Sequence, residues 1–356
     1  MRSEGRVIPE MHEKPAAEWC AMRPLFHPSL VNGRYGDPTV YVETLFETHS
    51  VLFDLGEIAS LSPRRIQRID QIFVSHAHID HFVGFDHLLR SLVGRKKTVH
   101  LYGPVGFAER VYHKLQAYRW NLVESYRSDL VFVVSELETP NSISTRQFRL
   151  KRAFAAEPSV SKTTLDGVLC DERTCRVSAA ILEHRTPCLG FALQEAAHVN
   201  IWKNRLSERG LPVGPWLRWL KKAVVEGRAD DFLIRTDGAA TSDGRLERLG
   251  SLRDLLTVTA GQKIAYVTDV ADTPANRAAI VALVQNADIL FIEAAFAGAD
   301  AALARERAHL TTTAAGVIAR EANVRRVEPF HFSPRYAGEQ ERMLAEVMTA
   351  FQGSHA

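Results

Sequence analysis

The sequence predicts an α/β protein in which helices flank β-sheets. Short apolar runs of strand length recur along the chain, and in its last third they alternate with longer stretches of helical periodicity. At 356 residues the chain can bury a large core, and its 46% hydrophobic and 24% charged residues are ordinary for a globular protein. One α/β domain with an inserted element therefore fits as well as two domains.

The individual elements follow from the spacing of apolar residues. Apolar, β-branched runs predict strands at residues 40–46, 50–55, 71–74, 98–102, 130–134, 148–153, 177–182, 264–268, 289–292 and 324–327. Helical spacing predicts helices at residues 104–118, 274–285, 312–322 and 340–351. Thr311 and Thr312 supply an N-cap for the third helix.

The most informative stretch is SHAHIDH at residues 75–81, directly after the predicted strand 71–74. A strand that ends there projects His76, His78, Asp80 and His81 from its end and from the following turn. Imidazole nitrogens and carboxylate oxygens suit Zn²⁺ and similar divalent ions. Because neighbours this closely spaced cannot all reach one ion, we expect two adjacent metals that share the loop.

Three further residues of ligand type end apolar runs elsewhere in the chain. They are His184 after the run 177–182, Asp269 after the run 264–268, and His331 after the apolar segment that ends at Phe330. A single strand-end histidine is more often a surface or core residue. Together with the loop, however, the three indicate a metal site at one rim of a sheet.

The HxHxDH pattern resembles the signature of the metallo-β-lactamase superfamily, and residues from about 38 to about 337 resemble its ribonuclease Z branch. FDLGE at 53–57, YGP at 102–104 and EHRTPCLGF at 183–191 are similar to that family's FDCGEG, YGP and EH…GY segments. EAA at 293–295 and HLTT at 309–312 occupy the places of HEAT and HSST, and HFSPRY at 331–336 matches HxSxRY. The resemblance implies a four-layer αββα sandwich over residues 38–356, after an N-terminal extension at 1–37.

The resemblance also implies two divalent metal ions, with Zn²⁺ favoured and Mn²⁺ or Fe²⁺ also accepted by such ligands. Seven side chains would hold them: His76, His78 and His184 for one ion, Asp80, His81 and His331 for the other, and Asp269 between both.

His309 would be the catalytic histidine and Glu293 its orienting partner. A water that bridges two cations loses a proton near neutral pH and becomes the nucleophile, and Asp80 can hold that hydroxide in line with its target. His309, kept cationic by Glu293, can protonate the leaving alkoxide as a general acid. Ser333 and Arg335 would bind the substrate, because a guanidinium beside the metals suits a phosphate.

Two functions are consistent with these residues. The first is a phosphodiesterase or endoribonuclease that acts on tRNA 3′ ends or on another RNA. The alternative is a small-molecule hydrolase of the same fold, such as a cyclic-nucleotide phosphodiesterase or a lactonase or esterase. The net charge of only +2 favours the alternative, as does the lack of the family's Gly-rich LGTG loop near residues 24–38. The family pattern is also broken at Ile79, which replaces a Gly, and at Ile292, which replaces the His of HEAT.

Residues 195–233 are predicted to form an inserted arm. Between residues 203 and 228 there are seven Lys or Arg and two Glu, a local net charge of +5. Tryptophans interleave with these cations, a composition suited to phosphates and exposed rings, and GLPVGP at 210–215 resembles the tRNA-gripping arm of bacterial ribonuclease Z. Lys221 and Lys222 are the predicted RNA contacts, although a solvated helix whose tryptophans pack on the domain explains the pattern equally well.

The sequence also predicts the location of the protein, its oligomeric state and the state of its cysteines. The chain start has no signal-peptide apolar region and no run approaches the roughly 18 apolar residues of a membrane helix, so a cytoplasmic protein without membrane contact is predicted. The resemblance implies a homodimer. Cys170 and Cys175 are expected to be free thiols rather than an extra zinc clamp, since no C-x2-C pair accompanies them.

Overall fold

Two large β-sheets form the framework of the molecule. The computed structural model describes residues 25–45, 48–172, 174–236 and 245–353. Cys20, the first 24 residues of the predicted N-terminal extension and Phe46 of the first predicted strand lie outside the described residues. Within them, none of the helices is long and apolar enough to cross a membrane.

The elements are numbered here in chain order. The strands are β1 Phe26–Leu30, β2 Val40–Thr44, β3 Ser50–Phe53, β4 Ile69–Phe73, β5 Lys97–Pro104, β6 Leu130–Thr139, β7 Ser142–Arg149, β8 Val160–Thr163, β9 Val168–Asp171, β10 Cys175–Glu183, β11 Pro187–Glu195, β12 His198–Ile201, β13 Leu233–Arg235, β14 Leu246–Arg248, β15 Leu256–Thr259, β16 Lys263–Val267, β17 Ile289–Glu293 and β18 Val327–Phe330. The helices are α1 Pro63–Arg68, α2 Ile79–Phe82, α3 Phe85–Leu92, α4 Phe107–Gln116, α5 Lys203–Glu208, α6 Trp216–Val225, α7 Leu249–Leu252, α8 Pro274–Val284, α9 Ala301–Arg307, α10 Thr312–Glu321 and α11 Gln340–Gln352.

The first sheet contains β1 to β8 in sequence order, and the second has the order β18-β17-β16-β11-β10-β9. In the first sheet β3, β4, β5 and β6 are parallel to one another, while the outer strands pair antiparallel. In the second sheet β16, β17 and β18 are parallel, and β9, β10 and β11 add antiparallel neighbours.

The sheets face each other across an aromatic core. The rings of Phe53 and Tyr266, one from each sheet, stack with centroids 5.5 Å apart, and those of Phe73 and Phe191 lie 5.7 Å apart. Helices α1, α3 and α4 cover the outer face of the first sheet, and α8, α10 and α11 cover that of the second. Strands that are buried on both faces consist of continuous apolar residues, and for this reason their positions could be predicted from the sequence. The predicted αββα sandwich is confirmed.

Some predicted boundaries are wrong. The segment predicted as a strand at 148–153 is instead the end of β7 followed by a single 3₁₀ turn, and Ala153 has a φ of 49°. The last strand begins at Val327, because Val324 belongs to the turn after α10, where its N–H donates to the Ala319 carbonyl. Polar residues fill the interior of β7, so its sequence does not have the apolar run of a central strand.

The chain between β11 and β16 forms a small unit with its own core, and the predicted arm falls inside it. Leu206, Trp216, Leu220 and Leu252 are buried there. Trp202 and Trp219 are 46% and 63% exposed, so two of the three tryptophans remain on the surface. The division of the chain at residue 37 stays a prediction, although β1, which precedes it, pairs with β2 along its length.

Candidate active site

The predicted site residues follow strands that end at the same edge of the sandwich. Strands β10 and β16 run in the same direction, because each is antiparallel to β11, and β16 is parallel to β17 and β18. His184, Asp269 and His331 come one or two residues after β10, β16 and β18. The loop with His76 and His78 follows β4 of the facing sheet. One rim therefore collects side chains that are far apart in sequence.

Three overlapping groups of ligand-type side chains result, and two of them contain the predicted metal ligands. His76, His78, His184 and Asp269 offer nitrogen or oxygen atoms that all lie within 4.8 Å of one another. The second group, at the same mutual distance, contains Asp80, His81 and His331. These are the two sets that the sequence predicted, and donor atoms of these types at this spacing fit divalent ions.

Asp269 lies between the two groups. Its Oδ2 atom is 3.4 Å from His184 Nε2 and 3.4 Å from His81 Nε2, and its Oδ1 atom is 2.9 Å from His331 Nδ1. The carboxylate therefore faces histidines of both groups, with Oδ2 near one from each and Oδ1 near His331 of the second. The carboxylate is buried, with 4% of its side chain exposed.

Backbone strain is concentrated at this rim. Five of the ten non-glycine residues with positive φ in the described chain lie here: Asp54, Arg185, Asp269, Ala308 and His331, with φ between 43° and 61°. Such conformations cost on the order of 1–3 kcal/mol each and persist where the surrounding structure imposes them. These strained backbone positions therefore help to set the geometry of the rim.

Asp54 is a site residue that the sequence reading did not assign, although the FDLGE motif that contains it was noted. Its buried carboxylate accepts hydrogen bonds from Ser75 N, Ser75 Oγ and Tyr266 OH at 2.6, 2.8 and 2.7 Å. It also lies 2.7 Å from His81 Nδ1, which leaves His81 Nε2 directed at Asp80 and Asp269. Asp54 therefore fixes the orientation of one predicted ligand, as outer-shell carboxylates do in metal sites.

The motif also brings its backbone close to the histidine loop. A Cβ at Gly56 would lie 2.6 Å from the Asp80 carbonyl oxygen, so a side chain at this position would displace the loop. On the other side of the site, the Ala308 carbonyl accepts a 2.8 Å hydrogen bond from His184 Nδ1. That bond leaves His184 Nε2 free to face the cluster.

The electrostatics of the groups suit cation binding. Burial lowers the pKa of His76 to about 2, so its imidazole is neutral and its lone pair is available. Burial opposes ionisation of Asp80 and Asp269, but the neighbouring imidazoles outweigh it and hold both carboxyl pKa values below their usual range. The pKa of His331 is raised to about 10, since Asp269 and Asp80 outweigh its burial.

One buried imidazole nitrogen of the site also lacks a hydrogen-bond partner. His81 Nε2 makes no hydrogen bond to any described residue. The ionised carboxylates keep protons on the neighbouring imidazoles. A metal ion can bind at such a site by replacing those protons. The residues present therefore fit two divalent ions.

His309 and Glu293 form a pair beside these groups. Glu293 is fully buried, and His309 Nδ1 lies 2.9 Å from its Oε2 atom. Burial alone lowers the pKa of His309, but the charge and hydrogen bond of Glu293 outweigh it, so that pKa is raised. The two residues also lie within 4.8 Å of ligand atoms of Asp269 and His331, so their donor atoms border the second group.

An open cavity of about 780 Å³ lies over the site. Its walls include His309 and the two residues predicted to bind substrate, Ser333 and Arg335. The Arg335 guanidinium lies 5.8 Å from the ring of Phe296. Residues that the sequence reading missed also line it: Tyr35, Asp37, Arg185, Phe296 and Arg307. Tyr35 OH donates to the Tyr336 carbonyl, and Phe332 N donates to the Arg34 carbonyl, so the 34–38 segment forms a wall of the cavity in this chain.

Two predicted features lie elsewhere. Lys221 and Lys222 are on α6 of the inserted unit and do not line this cavity. Lys221 lines a separate groove of about 510 Å³, and Lys222 lies over the ring of Trp219 at 5.7 Å. Cys170 and Cys175 are buried free thiols, and burial raises their pKa values to about 12 and about 11.

Comparison with known proteins places the chain among metal-dependent hydrolases. A family model for the beta-lactamase superfamily domain matches residues 51–199. In fold, the chain is similar to a metallo-beta-lactamase fold protein from Bacillus subtilis, with a TM-score of 0.52 at 16% identity over 91% of this chain and 92% of that one.

Two curated relatives identify the family within this superfamily. Ribonuclease Z of Deinococcus radiodurans is 32% identical over 289 residues, which cover 80% of this chain and 83% of the relative. Ribonuclease Z of Thermobifida fusca is 31% identical over 318 residues, covering 86% and 83%. The similarity extends over most of both chains. The chain therefore belongs to the ribonuclease Z family of the metallo-β-lactamase superfamily.

Proposed function

We propose that this protein is a two-metal endoribonuclease that cleaves a phosphodiester bond at the 3′ end of tRNA precursors. The observation that carries the proposal is the joint placement, beside one cavity, of two ligand groups with Asp269 between them and of the His309–Glu293 pair. The names of the relatives support RNA as the substrate class.

The proposed ligands are His76, His78 and His184 for one ion, Asp80, His81 and His331 for the other, and Asp269 for both. Zn²⁺ is the preferred ion, because imidazole and carboxylate are its usual ligands beside thiolate, while Mn²⁺ and Fe²⁺ accept the same set. When bound, such ions supply Lewis acidity to a phosphoryl oxygen and lower the pKa of water.

The chain's own residues supply the proton transfer. The hydrogen bond from Nδ1 to Glu293 holds the His309 imidazolium in place and leaves its Nε2–H for the cavity. As water adds to phosphorus it releases one proton to solvent, the P–O bond to the leaving oxygen breaks, and that oxygen takes the proton of His309. Asp80, whose side chain is 36% exposed at the cavity, accepts a hydrogen bond from the attacking water and orients it.

Arg335 and Ser333 bind the substrate in this proposal. Arg335 is exposed in the cavity wall, and its guanidinium lies over the rings of Phe296 and Tyr336 at 5.8 and 6.0 Å. Packing against rings limits the freedom of the side chain, so less entropy is lost when it binds a phosphate. Lys221 and Lys222 would bind the RNA backbone away from the cleavage site, through the inserted unit.

The test is turnover of metal-loaded protein on a 3′-extended tRNA precursor and on bis(p-nitrophenyl) phosphate. His309→Ala is the inactive variant, and His113→Ala is the matched control, because His113 is a surface residue of α4 with 61% of its side chain exposed. Cleavage of both substrates that is lost only in His309→Ala would support the proposal. Cleavage of the small diester alone would instead indicate the alternative small-molecule hydrolase, and activity on neither would direct the search to esters and lactones.

We also propose that the enzyme is a homodimer and acts in the cytoplasm. The proposal of a dimer is based on the resemblance to the family. The proposal of a cytoplasmic location is based on RNA as the substrate. Sedimentation equilibrium of the full chain tests the first, and a monomer at micromolar concentration would refute it. Cell fractionation followed by detection of the protein tests the second.

A further inference from the structure

The cavity contains two cations to which the proposed chemistry gives no role. Arg185 follows His184 directly, and Arg307 ends α9 two residues before His309. Both line the cavity together with His309. Arg185 lies within the EHRTPCLGF segment and Arg307 in no quoted motif, and neither has a predicted role.

The two side chains belong to one local arrangement. The Arg185 guanidinium donates a hydrogen bond to the Glu306 carbonyl, so it lies against the end of α9 that also presents Arg307. The side chain of Arg307 is 64% exposed, and the carboxylate that pairs with it, that of Glu306, is 4.0 Å away. At that exposure and distance the pair contributes little. The guanidinium groups of Arg185 and Arg307 thus line the cavity from two backbone segments that lie side by side.

Arg335 approaches His309 from a different element. The His309 ring is 4.8 Å from the His184 ring, which adjoins Arg185, and 5.7 Å from the His331 ring, whose loop carries Arg335. Arg185, Arg307 and Arg335 therefore line the same cavity as the proposed proton donor. A small diester has a single phosphate, whereas an RNA strand that crosses the cavity has further phosphates beside the one that is cut.

We propose that Arg185 and Arg307 form an anion subsite that binds a backbone phosphate adjacent to the scissile one in single-stranded RNA. This inference rests on the proposed function and deepens it. The subsite selects a polynucleotide over a mononucleotide diester, because its contact exists only when the strand continues past the cleaved bond. Guanidinium groups suit this task through bidentate hydrogen bonds to phosphate oxygens.

A purely structural role makes a different prediction. Arg185 bonded to the Glu306 carbonyl, and Arg307 in the last turn of α9, would both stabilise the helix end. Removing them would then lower the melting temperature without changing how RNA binding depends on salt. The salt dependence is the distinguishing quantity, because each phosphate contact that is lost lowers the log–log slope by about 0.7 for a single strand.

The experiment measures binding of a fluorescent 3′-extended tRNA precursor by anisotropy, from low to moderate salt. Metal-loaded full-length protein that carries His309→Ala serves as the uncleaving background. The double variant Arg185→Gln, Arg307→Gln should bind more weakly and lower the slope by about 0.7 or more. Arg305→Gln is the control for loss of charge alone, since it removes one positive charge from the same turn of α9 as Arg307 but does not line the cavity. Arg307→Lys should retain the slope, because the charge remains.

An unchanged slope in the double variant, with tRNA precursor cleavage by the wild type intact, would overturn the inference alone. An equal fall of the slope in Arg305→Gln would also overturn it, because the effect would then be one of net charge. Failure of the wild type to cleave the precursor would overturn the proposed function and this inference with it.

Discussion

Replacing Asp54 should damage both stability and metal affinity, because one buried carboxylate serves four donors. Asp54 has no solvent exposure and is bonded to Ser75 N, Ser75 Oγ, Tyr266 OH and His81 Nδ1 at 2.6 to 2.8 Å. Asp54→Ala leaves all four without a partner in a region closed to bulk water. Breaking a buried pair by removing one partner costs about 3–5 kcal/mol. That is a large part of the 5–15 kcal/mol that typically stabilises a domain.

Asp54→Asn separates shape from charge. Oδ2 serves three of the donors and Oδ1 only the Ser75 N–H, so an amide whose oxygen replaces Oδ2 loses one hydrogen bond. The expected loss is about 1–3 kcal/mol. Both variants should also bind metal roughly 10- to 100-fold more weakly, since His81 loses its charged anchor.

Urea unfolding of metal-stripped protein measures stability without the contribution of bound ions. Competition with a chromophoric chelator measures metal affinity. Asp230→Ala is the control, because Asp230 is 70% exposed and its pair with Arg253 should change stability by less than about 0.5 kcal/mol. A loss below about 1 kcal/mol in Asp54→Ala, together with wild-type metal affinity, would refute the positioning role.

Three further predictions concern catalysis and RNA binding. His309→Ala should lower turnover roughly 10²- to 10⁴-fold with metal content unchanged by elemental analysis; a loss of metal would make His309 a ligand instead. Glu293→Gln should move the alkaline limb of the pH–rate profile to lower pH. Glu293 raises the pKa of His309. Activity needs protonated His309 and is therefore lost as the pH rises through that pKa, which is lower in the variant. An alkaline limb that does not move would contradict the role of His309 as the general acid. Neutralising Lys221 and Lys222 together should weaken RNA binding and flatten its salt dependence, and an unchanged slope would exclude the inserted unit from the substrate path.

The candidate metal site is predictable from the sequence because its residues follow a local rule. The histidine loop, His184, Asp269 and His331 each come directly after an apolar run, and a polar residue of ligand type in that position is visible in the sequence alone. Parallel strands place their carboxyl ends at one edge of their sheet, so the strand ends of β16, β17 and β18 converge by this rule alone. The motifs around His309 indicate the candidate catalytic pair only through their resemblance to the family.

Strands within the sheets were located for a related reason. Burial on both faces requires continuous apolar residues, and these runs have few alternative interpretations. Edge and hairpin strands such as β7 and β8 lack that signal, since their residues face solvent on one or both sides. Their existence is set by pairing with a neighbour that is distant in sequence.

The sequence by itself determined the layered α/β fold, the chemical types at the rim and the family. Only the tertiary structure showed that Asp54 anchors His81, that residues 34–38 form a cavity wall, and that Arg185 and Arg307 share one surface. A strand-end pattern indicates which residues reach the rim. Contacts across the two sheets, and between a loop and the end of a helix, depend on how the elements pack, which no local run of residues encodes.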